Sequence, residues 1–182
     1  MPHGTTSTMN FLHDIPHGDT KKLNAIIEIP KFSRIKYEVD KATGLIKFDR
    51  VLYSPMHYPA NYGFVPQTWW ADEDPLDMLV LGEEPIAPGV LVVVRPIGAL
   101  EMNDGGDDDL KMLGVPTEDP RFATIHDISD ITPHLLKEIA HFFSRYKELQ
   151  KKEVKVGDWL GKDAAFSAVE KAVALYKKKF SK

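Results

Sequence analysis

DEDPLDMLVL, residues 72–81, sets four acidic side chains, Asp72, Glu73, Asp74 and Asp77, directly before an apolar run, Met78 to Leu81, that has the length and composition of a buried strand. Carboxylates about 4 Å apart repel by roughly 4 kcal/mol per pair at an effective dielectric near 20, so a strand end that gathers several needs protons or cations beside them. A divalent metal is the obvious partner. An EF-hand loop starting at Asp72 fails, because its sixth position is Asp77 where glycine is required and a strand-like run follows.

Further along, residues 101–109 (EMNDGGDDD) hold Glu101, Asp104, Asp107, Asp108 and Asp109. The two windows contain nine of the 27 acidic residues and no Lys or Arg, so the rest of a chain of net charge -4 is positive. Acidity concentrated in this way points to a site rather than to a solubilising coat.

At 182 residues, 43% hydrophobic and 27% charged, the composition predicts one globular domain over 1–182, with the small, polar residues 1–8 as a flexible extension. Cysteine is absent, which excludes disulfides and thiolate ligands. A pI near 6.0 argues against a generic nucleic-acid binder, and no apolar run of membrane-spanning length is present, so membrane insertion is disfavoured and the cytoplasm is the expected compartment.

Residues 25–29 read as a strand stopped by Pro30. Residues 34–39 alternate, with Lys36 and Glu38 on one face, and pair as a hairpin with 45–52 through Asp40–Gly44, where Gly44 supplies a positive φ. Strands are also predicted at 78–81, 90–95 and about 110–114. After residue 130 the periodicity becomes helical. Thr132 and Pro133 start one helix, whose stripe is Leu135, Leu136, Ile139, Phe142, Phe143, Tyr146 and Leu149. A second runs from about 163 to 179 and turns Phe166, Val169, Ala172, Val173 and Tyr176 inward. Strands first and helices last predict an α+β fold, a small closed antiparallel β-barrel of OB type with C-terminal helices packed against it.

Oxygen ligands without Cys or paired His favour hard cations such as Mg²⁺ or Mn²⁺ over zinc, and magnesium shares phosphate oxygens with its protein carboxylates. Lys36, Arg50, Lys111 and Lys147, with Tyr58, Tyr62 and Tyr146, could receive such a phosphate. Each alone is an ordinary surface charge or core aromatic; the set has weight only together. No histidine has a partner at motif spacing, and Trp69 and Trp70 are assigned to packing.

The run Asp72-Glu-Asp74-Pro-Leu-Asp77 resembles the Asp-x-Asp-Pro-x-Asp signature of soluble family I inorganic pyrophosphatases. Ile-Glu28-Ile-Pro, Ile-Lys36-Tyr-Glu38, Asp-Arg50, Tyr58-Pro-Ala-Asn61-Tyr62-Gly63, Asp104 with Asp109 and Lys111, and His-Phe-Phe-Ser-Arg-Tyr146-Lys147 resemble that family's other motifs in order. The resemblance spans Glu28 to Lys147. Glu73 stands where the family more often has a small or short polar residue, and Asp107 and Asp108 exceed the pattern.

The resemblance implies hydrolysis of pyrophosphate to two orthophosphates, with several Mg²⁺ ions per site and Mn²⁺ or Zn²⁺ as substitutes. By the same likeness Asp72, Asp77, Asp104, Asp109, Glu28 and Glu38 hold metals, and Asp74 is the general base toward metal-activated water. Lys36, Arg50, Tyr58, Tyr146, Lys147 and Lys111 meet substrate, and Tyr62 joins the catalytic set. It also implies a homohexamer. Two rival readings are a broader metal-dependent phosphohydrolase and a non-catalytic acidic metal-binding domain.

Overall fold

Among residues 9–180, which the computed structural model describes, the chain forms ten strands and two α-helices. In chain order these are β1 (Gly18–Asp19), β2 (Lys22–Ile29), β3 (Ile35–Val39), β4 (Ile46–Val51), β5 (Asn61–Phe64), β6 (Asp77–Val80), β7 (Leu91–Asp104), β8 (Asp107–Asp108), β9 (Lys111–Pro116), α1 (Pro133–Arg145), β10 (Val154–Gly161) and α2 (Lys162–Phe180). The flexible extension expected at 1–8 lies outside the described residues.

β3 and β4 pair as the expected hairpin, and Gly44 has φ +74°. The other strands form one sheet in the order β1-β2-β5-β6-β9-β7-β10, with β8 on β7 and an additional pairing of β2 with β7. One feature of the expected architecture is wrong: the sheet is not wholly antiparallel. β6 and β9 run parallel, because the long β7 lies between them in sequence and is itself antiparallel to β9. Pro96, which cannot donate to a ladder, sits where the β7–β9 register shifts between Pro96 and Gly98.

The apolar run at 78–81 shows how the core is divided. Met78 and Val80 belong to a cluster that includes Ala165, Ala168, Val169 and Ala172 of α2. Leu79 and Leu81 alternate into a second cluster with Ile139, Phe142 and Phe143 of α1. The strand is thus buried on both faces, each side chain contributing about 1.5–3 kcal/mol. At Gly63 an added Cβ would lie 1.9 Å from the Ile26 carbonyl oxygen, so only glycine allows β5 this close to β2.

The helices differ from expectation in detail. Thr132 precedes α1 without a capping hydrogen bond from its side chain, leaving Pro133 as the start signal. Leu149 is 61% exposed, since α1 ends at Arg145 and a 3-10 turn at Glu148–Gln150 rotates it off the stripe. Phe166 is only half-buried, and the inner face of α2 uses Ala165 and Ala168 instead. Moreover β10 lies between the helices, paired with β7.

Candidate active site

Strand pairing decides which acids meet. Asp77 is the register partner of Lys111 across the parallel β6–β9 pair. β7 folds back onto β8 through Gly105 and Gly106, both at positive φ, which sets Asp104 opposite Asp107. Beyond that turn the side chains alternate: Asp107, Asp109 and Lys111 line a cavity of about 630 Å³, while Asp108 and Leu110 line a separate hollow.

The other acidic window is shaped by two anchors. Thr68 donates to the Val65 carbonyl at 2.5 Å and accepts from the Leu76 amide at 2.9 Å, drawing the ends of the loop together. Inside it, the Trp70 amide donates to the Asp74 carbonyl at 2.8 Å. Asp72, Asp74 and Asp77 line the cavity, whereas Glu73, at φ +63°, turns away and pairs with Lys179 of α2 at 3.4 Å. The two windows therefore share one cavity, with Glu73, Glu101 and Asp108 outside its wall.

Asp72, Asp77 and Asp109 each offer a carboxylate oxygen within 4.8 Å of the others. Beside them Lys111, 3% exposed, donates to Asp77 and Asp109 and to the Tyr62 hydroxyl at 3.1 Å. Burial opposes the charge of Lys111, yet Asp77 and Asp109 outweigh it and hold the ammonium well above its ordinary pKa. Burial and then Asp77 push the Asp72 carboxyl up to about 7. Burial takes Asp77 to about 6 despite Lys111. Glu28, accepting from the Val39 amide at 2.6 Å, is raised to about 8 by burial and then by Asp77.

Cations line the same cavity. Lys36 bonds Glu38 at 3.0 Å and Asp49 at 3.1 Å, and although burial works against it these carboxylates raise its pKa. Glu38 also meets Lys47 at 3.2 Å; burial would raise it, but the two lysines bring its carboxyl below the ordinary value. Lys147 pairs with Asp104, and burial lowers its pKa against that pairing. Tyr62 and Tyr146 are buried phenols held above their ordinary range by desolvation, so both stay protonated at neutral pH.

Of the residues singled out from sequence, Glu28, Lys36, Glu38, Tyr62, Asp72, Asp74, Asp77, Asp104, Asp109, Lys111, Tyr146 and Lys147 line this cavity. Two do not. Tyr58 is buried behind the wall, its ring 5.5 Å from Tyr62 and 4.9 Å from Phe142. Arg50 is the register partner of Lys36 and pairs with Asp49, while its buried Nε has no hydrogen-bond partner among the described residues.

Sequence reasoning gave no role to Asp49, which joins Lys36 to Arg50, or to Asp40, Lys41 and Lys47 on the hairpin side of the cavity. The alternation along β4 could have flagged Asp49. Lys41 was hidden inside a segment read only as a turn.

A close trio of carboxylates, oxygen donors only, and acids that burial leaves costly to ionise together fit a hard divalent cation. Asp72, Asp77 and Asp109 would hold it.

Known proteins resemble this chain in sequence and in fold. The sequence model of the family described as inorganic pyrophosphatase matches residues 25–177. The inorganic pyrophosphatase of Geobacillus stearothermophilus is 50% identical over 147 residues, 81% of this chain and 89% of that protein. Soluble inorganic pyrophosphatase 4 of Arabidopsis thaliana is 47% identical over 146 residues, 80% of this chain and 68% of its own. The crystal structure of inorganic pyrophosphatase from Thermus thermophilus superposes with a TM-score of 0.89 at 43% identity, covering 93% of this chain and 99% of that one.

Proposed function

The chain belongs to the inorganic pyrophosphatase family, and we propose that it hydrolyses pyrophosphate to two orthophosphates in the cavity between the β3–β4 hairpin and the two aspartate-rich segments. The observation that carries this reading is the presence of the Asp72–Asp77–Asp109 trio and of Lys36 and Lys147 in the lining of one cavity. A scaffold for metals alone would have no use for those cations.

Divalent cations, when bound, neutralise phosphate charge and make water more acidic, from about 15.7 toward 7 to 9. Asp72, Asp77 and Asp109 would hold the first; Asp104, Glu28 and Glu38, further round the wall, would take cations that arrive with substrate. Asp74, half-exposed and outside the close trio, pairs through one carboxylate oxygen with Lys41, and its other oxygen would accept the proton of the attacking water. Lys36, Lys147 and the protonated Tyr146 donate to phosphate oxygens on which negative charge grows as the bridge breaks. Arg50, which pairs with Asp49, would grip two of those oxygens at once. Tyr62 and Lys111 keep the carboxylates oriented, and Tyr58 supports Tyr62 from behind.

The further expectations belong to the same reading: Mg²⁺ as the cation, the cytoplasm as compartment, and a homohexamer as assembly. The pairings that run from β2 through β5, β6, β9 and β7 and return to β2 support a small barrel of OB type. Among the described residues, no helix is long and apolar enough to cross a membrane.

Phosphate release from pyrophosphate, measured with and without Mg²⁺ and with ATP as the control substrate, tests the assignment. Fast, Mg²⁺-dependent release is expected, and Asp74→Asn should lower kcat by about 10² to 10⁴ with the fold intact. Equal turnover of ATP under Mg²⁺ would favour the broader phosphohydrolase, and no release at all would favour the scaffold.

A further inference from the structure

Asp74 sits two residues from Asp72 and three from Asp77, so nothing in the sequence keeps its carboxylate from joining them around a cation. A carboxylate that ligates a metal has its charge neutralised and its lone pairs committed, and is a poor acceptor for a proton. The three oxygens that approach within 4.8 Å nevertheless come from Asp72, Asp77 and Asp109. Asp74 makes a different contact: its Oδ1 pairs with the singly charged ammonium of Lys41, which leaves Oδ2 to accept a proton.

Lys41 is held in place from several sides. Its backbone carbonyl accepts from Asn10 Nδ2 at 3.2 Å, and the turn that carries it presses against the same residue, since a Cβ on Gly44 would lie 2.5 Å from Asn10 Cα. Its Nζ donates to the Glu73 carbonyl at 2.7 Å and stands 5.1 Å from the centre of the Trp69 ring. Trp69 is also met by Lys179 at 4.1 Å and by the ring of Phe180 at 5.1 Å. An isolated exposed ion pair contributes little, because its partners must be ordered first. Here the lysine is already fixed by a carbonyl and an aromatic face, and it lines the cavity.

We propose that Lys41 is a positioning residue that holds Asp74 out of the metal-ligating trio and available to water. The inference rests on the reading of Asp74 as the general base. The hairpin turn thereby acts on the chemistry of a loop 32 residues away.

Two measurements test it, on Lys41→Met, which keeps the aliphatic stem, and Lys41→Arg, which keeps the charge. Binding of Mn²⁺ to the substrate-free protein, followed by electron paramagnetic resonance, should tighten about threefold or more in Lys41→Met as Asp74 joins the trio. Its kcat at saturating Mg²⁺ should fall about tenfold with KM changed far less. Lys41→Arg should restore both. In the Asp74→Asn background the effect of Lys41→Met on Mn²⁺ affinity should vanish, because the coupled partner is gone.

Unchanged Mn²⁺ affinity and kcat in Lys41→Met, while Asp74→Asn is crippled, would reduce the pair to an ordinary surface contact and leave the base assignment standing. Full activity of Asp74→Asn would remove the base assignment and this inference with it. A fall in kcat accompanied by a lower thermal midpoint and no rescue by arginine would make Lys41 a support of the turn only, and would also overturn the proposal.

Discussion

Glu28→Gln should make the metal-free protein more stable at neutral and alkaline pH. Glu28 is 5% exposed, and burial with the nearby Asp77 raises its carboxyl from 4.5 to about 8. A folded-state pKa above the unfolded one means that protons favour the folded chain. The contribution is fully present below about pH 4.5 and is lost as the pH rises through about 8. At 1.36 kcal/mol per pH unit the full loss is about 5 kcal/mol, or roughly 10 to 20 °C in midpoint for a chain of this size.

Glutamine imitates the protonated acid, and its carbonyl can still accept from the Val39 amide that bonds Glu28 at 2.6 Å. Unfolding in urea, followed for both proteins in the presence of a chelator from pH 4 to 9, isolates the effect of this one group from the other acids. The curves should coincide near pH 4 and diverge as the pH rises, with the variant the more stable. Saturating Mg²⁺ should help the wild type more at pH 8 than at pH 5, because protons and cations compete for the same oxygens. Parallel curves, or a variant less stable throughout, would refute the claim that Glu28 is buried at a cost.

Three further outcomes are expected. Gly63→Ala should lose about 3 kcal/mol in urea unfolding, because its new methyl would fall 1.9 Å from the Ile26 oxygen; undiminished stability would show that β2 and β5 can separate freely. Arg50→Lys should reduce kcat/KM for magnesium pyrophosphate by about 10- to 100-fold, since a point charge cannot hold Asp49 or two phosphate oxygens in the plane of a guanidinium; wild-type kinetics would remove Arg50 from the site. Glu73→Gly should gain about 1 kcal/mol in urea unfolding by relieving the φ of +63°, at the expense of the exposed Lys179 pair; a net loss would mean that the pair outweighs the backbone.

What could be read from the sequence followed from local rules. The β3–β4 hairpin, β6 and both helices announce themselves through turn residues and hydrophobic period, and the two acidic windows through charge alone. β5 went unseen because Asn61, Tyr62, Gly63 and Phe64 look like a turn. Asn61 is nevertheless fully buried, accepting from the Lys31 and Ile86 amides and donating to the Glu84 carbonyl. β10 was hidden by Gly157 and Asp158, which fall where its register with β7 shifts. Glu101 and Asp104 proved to be strand residues, since β7 runs on to Asp104. The roles of Lys41 and Asp49 depend on which distant segments are brought side by side, and no local pattern encodes that.

The pairing of Asp77 with Lys111 across β6 and β9 has a further consequence. A slip of one residue in that ladder would send one of the two to the opposite face and strand a lysine ammonium in the interior without its counterion. Alternative alignments of these strands are therefore penalised by the charges of the reaction centre, and the chemistry serves as a proofreader of the fold that houses it.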